Sequence, residues 1–130
     1  MVLELSDKEY SVYKLNAKDK IDNSIFRDDF ISITKTEDEI SIVAVSGATE
    51  HFEKKEDYWK LLKICGVLDF NLIGIISKIS AILADKGISI FVISTFNTDY
   101  IMVKKDNLEK AVKILEQNEY TVKNKLVRHR

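Results

Sequence analysis

The chain has 130 residues, of which 45% are hydrophobic and 32% charged, as in one soluble globular domain or two very small ones. No apolar run approaches the ~18–20 residues of a membrane helix, and no secretory signal is visible, so we expect a cytoplasmic protein without membrane contact. A single cysteine, Cys65, excludes an internal disulfide, and two histidines without ligand spacing argue against a metal site.

The net charge of −1 is unevenly distributed along the chain. Residues 1–58 hold 8 Lys and Arg against 14 Asp and Glu, whereas residues 59–130 hold 12 against 7. Opposite charges of this kind can attract within one molecule or between copies. Most of these side chains are nevertheless expected to face solvent.

The first half of the chain predicts short and irregular elements. LELSDKEYSVYKL (3–15) contains one or two strands, and KDKIDNSIFRDD (18–29) is polar with room for a short helix. FISITKTEDEISIVAV (30–45) is strand-like on both sides of a polar turn at 36–38, which predicts a hairpin.

The second half begins with a strand and a helix. YWKLLKICG (58–66) alternates between two apolar sides, one carrying Leu61 and the other Leu62, and Gly66 ends it. Helical spacing follows in VLDFNLIGIISKISAILADKG (67–87), which Gly87 can end in a left-handed conformation. Its apolar stripe consists of Ile75, Ile76, Ile79, Ile82 and Leu83.

Three further elements complete the chain after a central strand. ISIFVIS (88–94) is apolar and β-branched, which predicts a buried central strand, and YIMVKK (100–105) predicts the next strand. DNLEKAVKILEQN (106–118) begins with Asp106 and Glu109 at capping-box spacing, and YTVKN (120–124) predicts a last strand. The stripe of this second helix consists of Leu108, Ala111, Val112 and Leu115.

The order strand, helix, strand, strand, helix, strand predicts an α+β fold of the ferredoxin-like type. Two right-handed βαβ crossovers give an antiparallel four-stranded sheet with both helices on one face.

A short internal repeat is visible between the two halves. With an offset of 60 residues, FISITKTEDEISIV lies over IFVISTFNTDYIMV, so that Ile33 meets Ile93 and Glu39 meets Asp99. This match predicts either a duplicated module or simply two similar hairpins.

Two loops of the second half carry candidate binding groups. The loop from Gly66 to Gly74 leads into a helix, whose first N–H groups and partial positive charge can hold a carboxylate. Gly74 permits close approach of a ligand to the backbone. Asp69 and Asn71 are candidates for the N-cap, and an Asp69 that does not cap would attract an ammonium group.

The tip Thr95-Phe96-Asn97-Thr98-Asp99 offers hydroxyls, an amide and a carboxylate to an amino group or a polar side chain. Taken alone, the same residue types favour an ordinary turn.

The segment GVLDFNLIGIISKISAILADKGISIFVISTFNTDYIMVKKDNLEKAVKIL (66–115) resembles the ACT domain family. The resemblance rests on the helix ending in Leu-Ala-Asp-Lys-Gly-Ile, the Ile-Ser-Thr strand and the Thr-Asp-Tyr hairpin. It extends to small tandem-ACT proteins similar to the regulatory part of aspartate kinases and to the arginine-sensing CASTOR proteins. FISITKTEDEISIV resembles their first repeat, which implies a degenerate ACT-like repeat at 1–58 and an ACT domain at 59–130.

This resemblance implies a regulatory or sensor protein rather than an enzyme, with no cofactor. ACT modules pair sheet beside sheet and bind amino acids at the interface, which implies a homodimer with an amino-acid ligand and an unidentified protein target. The implied ligand-binding residues are Asp69, Phe70, Asn71 and Gly74 in the loop, Ile88, Ser89 and Ile90 at the start of the second strand of the same or the paired module, and Ser94, Thr95, Asn97 and Asp99 in the hairpin.

Three other functions are alternatives to amino-acid sensing. Acylphosphatase-like hydrolysis needs an arginine in the first loop, and CGVLDFNLIG has none, while Cys65 has the period of a strand residue. RNA binding needs aromatic and basic strand residues, and ISIFVIS is mostly aliphatic, so no nucleic-acid partner is expected. The serious alternative is an ACT-fold assembly module that binds no small ligand.

Overall fold

The structure is a computed structural model that describes residues 1–65 and 74–125. In these residues the chain forms seven strands and two α-helices. They are β1 (Val2–Asn16), β2 (Ser32–Lys35), β3 (Glu39–Val45), β4 (Lys54–Cys65), α1 (Ile75–Asp85), β5 (Phe91–Ser94), β6 (Asp99–Lys104), α2 (Leu108–Gln117) and β7 (Thr121–Asn124), with 3-10 turns at Asn23–Arg27 and Lys105–Asn107. Among the same residues, no helix is both long and apolar enough to cross a membrane.

The chain divides into two compact units. The N-terminal unit consists of Lys8–Trp59, and the C-terminal unit combines Met1–Asp7 with Lys60–Arg130. Strands β1 and β4 therefore each contribute residues to both units.

The C-terminal unit has the predicted order of strand, helix, strand, strand, helix and strand, from β4 to β7. Its strands follow the order β7-β1-β4-β6-β5. The prediction of four antiparallel strands is wrong in one respect, because β1 adds a fifth strand. Residues Val2 to Leu5 pair in parallel with Thr121 to Asn124.

Both helices of this unit pack on one face of its sheet, as predicted. Ile101 and Val103 alternate with Met102 on β6 and so share a face. They belong to one core cluster with Leu3, Leu62, Ile64, Ile79, Leu83, Ile88, Ala111, Ile114 and Leu115. The predicted stripe of α1 is confirmed, since its five members are either in this cluster or packed against it. Gly87 ends the helix in the predicted left-handed conformation, with φ +73°.

Two predictions for this unit are wrong. ISIFVIS is not a central strand, because only Phe91–Ser94 is strand and β5 stands at the end of the strand order, where Val92 is 38% exposed. An apolar, β-branched run does not by itself show how many neighbours a strand has. Asp106 does not cap α2 either: it lies inside a 3-10 turn, and the N-cap Asn107 makes no side-chain hydrogen bond.

The N-terminal unit has the strand order β4-β1-β3-β2. This is the order of a ferredoxin-like sheet, with the 3-10 turn Asn23–Arg27 in the place of the first helix and the loop 46–53 in the place of the second. The predicted hairpin is confirmed, with Ser32 opposite Val43 and Lys35 opposite Ile40. Its core consists of Tyr13, Leu15, Ile25, Ile40, Ile42 and Ala44.

The hairpins of the two units correspond with an offset of 59 residues, not 60. Ser32 opposite Val43 corresponds to Phe91 opposite Met102 in the second ladder. Thr36 and Thr95 occupy the same place before each tip, where each donates its backbone N–H to the carbonyl three residues later. The sequence match was therefore one residue out of register, which exchanges the two faces of every strand.

Candidate functional site

The β5–β6 hairpin of the C-terminal unit is a tight turn closed by threonine. Ser94 lies opposite Asp99, and the N–H of Thr95 donates to the carbonyl oxygen of Thr98 at 2.8 Å. The Thr95 hydroxyl donates to the same oxygen at 3.0 Å and accepts from the Thr98 N–H at 3.2 Å. The hairpin is thus fixed by its own side chains.

Thr98 also ties this hairpin to the neighbouring strand. Its hydroxyl donates to the carbonyl oxygen of Ile64 at 2.6 Å, across 34 residues of sequence. The hairpin tip therefore lies beside the end of β4, at the point where the chain continues into the predicted binding loop. Sequence reasoning missed Thr98, because nothing in the sequence distinguishes it from an ordinary turn threonine.

Gly74 occupies the N-cap position of α1. It has φ +86° and ψ 4°, a left-handed conformation, and its carbonyl oxygen accepts from the N–H of Lys78 at 2.9 Å. A glycine has no side chain with which to cap the N–H groups of the first turn, where the helix carries its partial positive charge. The N-cap alternatives Asp69 and Asn71 do not hold this position.

The other loop candidates, Asp69, Phe70 and Asn71, lie at 66–73, outside the described residues. Their predicted contacts with a ligand remain predictions.

The hairpin candidates differ in their exposure. Ser94, Thr95 and Asn97 are exposed, whereas Asp99 is half-buried. Phe96 at the tip is completely exposed, at 101%. Within residues 1–65 and 74–125 the Asp99 carboxylate makes no ion pair, so it is free to accept hydrogen bonds from an ammonium group.

The predicted residues Ile88, Ser89 and Ile90 lie at the other end of the unit. Ile88 is buried in the core, and its N–H donates to the carbonyl oxygen of Leu83, so only its remaining backbone could face a ligand. The eleven residues of α1 separate Gly74 from this segment. At a rise of 1.5 Å per residue that is about 16 Å, too far for one amino acid to touch both ends within one unit.

Among the strands that the structure describes, β5 lies at the edge of the sheet, and its outer side is uncharged. The bond from Thr95 to Thr98 fixes the hydrogen-bonding pattern of the ladder, so the backbone groups of Val92 and Ser94 point away from β6. No charged residue occurs from Ile88 to Thr98. Natural edge strands usually carry a charge, a bulge or a cover that prevents pairing with another chain, and this one has no charge.

Family models of known proteins match two segments of this chain. Residues 54–117 match the family model of the ACT domain, and a second model, of an N-terminal domain, matches residues 8–48. The human cytosolic arginine sensor for mTORC1 subunit 1 is 33% identical over 64 residues. That match covers 48% of this chain but only 20% of the sensor's length.

Solved structures have the same fold over most of the chain. A protein from Agobacterium tumefaciens is 29% identical, with a TM-score of 0.89, over 99% of this chain and 96% of its own. The ligand-free regulatory subunit of aspartate kinase from Thermus thermophilus is 13% identical, with a TM-score of 0.61, over 85% of this chain and 92% of its own. The resemblance stated from the sequence is therefore confirmed: residues 54–117 of this chain match the family model of the ACT domain.

Proposed function

We propose that this protein is a non-catalytic regulatory protein that binds a free amino acid at the hairpin end of its C-terminal unit. The observation that carries this proposal is the hydrogen bond from Thr98 to Ile64, which holds the polar hairpin beside the end of β4. An amino acid needs donors for its carboxylate and acceptors for its ammonium group. The first turn of α1 offers the donors, and Asp99, Ser94 and Thr95 offer acceptors.

The relatives support the ligand class. One matching protein is named as an arginine sensor, and one structural neighbour is the regulatory subunit of aspartate kinase. The N-terminal unit is proposed to be a degenerate copy of the same module. Its ferredoxin-like strand order and its hairpin, offset by 59 residues, support this.

A second copy would bring the two separated ends of the predicted site together. If two β5 edges pair antiparallel about a two-fold axis at Val92, Ile90 of one copy lies opposite Ser94 of the other. Adjacent strands are about 4.8 Å apart. The hairpin end of one subunit then adjoins the segment Ile88–Ile90 of its partner, so each ligand would sit at the subunit interface.

A thermal-shift screen against the twenty amino acids tests the proposed function. A ligand of about ten heavy atoms is expected to gain about 5–8 kcal/mol, a Kd of roughly 0.2 mM to 1 μM. At a hundredfold excess over Kd the folded state gains about 2.7 kcal/mol, which is a measurable rise in Tm. A rise with a few amino acids supports the proposal, and no rise with any of them contradicts it.

A second candidate function is assembly without a ligand. The uncharged β5 edge favours it, because this edge can pair strands whether or not a ligand is bound. Dimers by sedimentation, together with a flat thermal-shift screen, would identify this function.

A further inference from the structure

The N-terminal unit carries a surface depression of about 290 Å³ that is separate from the hairpin site. Three neighbouring strands line it, in the order β3, β1 and β4. Its lining includes Val12, Lys14, Glu39, Ser41, Lys54 and Glu56.

Lys14 and Ser41 are two of the residues that line this depression. They lie directly opposite each other on β1 and β3, so their side chains share a face. Both neighbours of Lys14 in sequence, Tyr13 and Leu15, belong to the core on the opposite face of the sheet. Lys14 is half-buried on an inner strand, unlike the exposed Lys54.

Some of the charged side chains around this depression have interaction partners and others do not. Lys55 is paired with Asp57 at 3.1 Å and stands over the Phe52 ring. Lys14, Lys54 and Glu39, in contrast, make no side-chain ion pair or hydrogen bond within the part of the chain that the structure describes. Two ammonium groups and one carboxylate therefore face the depression without partners.

We propose that this depression binds an acidic amino acid. Lys14 and Lys54 would pair with its two carboxylates, Glu39 would accept from its ammonium group, and the Ser41 hydroxyl would bond to the carboxylate at Lys14. A half-buried ammonium gains most from such a partner, because part of its hydration has already been lost. The volume matches the lower end of known small-ligand pockets.

NMR titration of the uniformly ¹⁵N-labelled protein with L-glutamate and with L-aspartate tests this site. At least one of them is expected to shift the amide signals of residues 12–14, 39–41 and 54–56. Lys14→Met, which keeps most of the aliphatic stem, is expected to weaken that binding at least tenfold, while the exposed control Lys18→Met leaves it unchanged. Glutarate lacks the ammonium group, so it is expected to bind the wild type less tightly than glutamate does. In Glu39→Gln this difference between the two ligands is expected to disappear.

The outcome is independent of the hairpin site. Asp99→Asn is expected to leave the shifts of the N-terminal unit intact. Shifts confined to residues 94–99, no shifts with either amino acid, or equal affinity in Lys14→Met would each overturn the proposal.

Discussion

The hydroxyl of Thr98 donates a hydrogen bond of 2.6 Å to the carbonyl oxygen of Ile64. This bond joins a hairpin tip to the end of a strand that precedes it by 34 residues. Together with the pairing of β6 beside β4, it places the polar groups of the hairpin beside the end of β4.

Thr98→Val is expected to destabilise the protein and loosen the hairpin. The substitution keeps the shape of the side chain but leaves the Ile64 carbonyl without this donor, at a cost of about 1–3 kcal/mol. Thr98→Ser retains the hydroxyl and is the matched control. Urea unfolding measures the free energy of unfolding of each variant, and equal stability of the Val and Ser variants would mean that the bond contributes nothing.

Asp99→Asn is expected to weaken amino-acid binding roughly 10- to 100-fold, because a hydrogen bond to a charged group contributes about 1.5–3 kcal/mol. Its stability should change little, since Asp99 makes no ion pair in the described part of the chain. Asp106→Asn is the control, because Asp106 lies in the 3-10 turn before α2. Calorimetric titration of both variants with the amino acid found in the screen measures their Kd values. An unchanged Kd for Asp99→Asn would remove this residue from the site.

Protein stability is expected to decrease in the order Gly, Asn, Ala for the residue at position 74. A Cβ atom at this position would meet no atom of residues 1–65 or 74–125 within 4 Å, so the penalty comes from the backbone, whose φ is +86°. A left-handed conformation costs roughly 1–2 kcal/mol for alanine and less for asparagine, which visits it more often. Thermal unfolding gives the ranking. Ser77→Ala, an exposed change on the same helix, serves as the control, and an alanine variant as stable as wild type would contradict this explanation.

Val92→Lys is expected to prevent pairing between β5 edges. Val92 is 38% exposed at the middle of this edge, and two lysines would meet at the proposed two-fold axis. Sedimentation should then show a monomer. If the partner subunit completes the site, the affinity for the amino acid should also decrease in this variant. Ala84→Lys, on the exposed side of α1, should change neither property. An unchanged dimer in Val92→Lys would place the interface elsewhere.

The stability of the N-terminal unit is expected to fall in acid partly through Asp22. The backbone N–H of Ser24 donates to this carboxylate at the N-cap of the 3-10 turn and lowers its pKa. A lowered pKa in the folded state contributes stability above the ordinary value of about 3.9, and that stability is lost as the pH falls through the folded value. Asp22→Asn keeps a capping oxygen but does not titrate. Unfolding curves between about pH 5 and pH 2 should therefore be less pH-dependent in this variant, and identical curves would exclude the contribution of Asp22.

The sequence by itself determined the elements whose signal is local. The stripe of α1, the left-handed Gly87 and the hairpin turn at 36–38 all follow from spacing within a few residues, and the ACT resemblance follows from the same segment. Side-chain periodicity and turn conformation are set by neighbours along the chain, so they can be read without the fold.

The tertiary structure alone decided which strands are neighbours. The pairing of Val2 to Leu5 with β7, the position of β5 at an edge and the bond from Thr98 to Ile64 join residues far apart in sequence. Apolar strands favour burial but do not specify a partner, because the backbone groups that pair them are the same in every residue except proline.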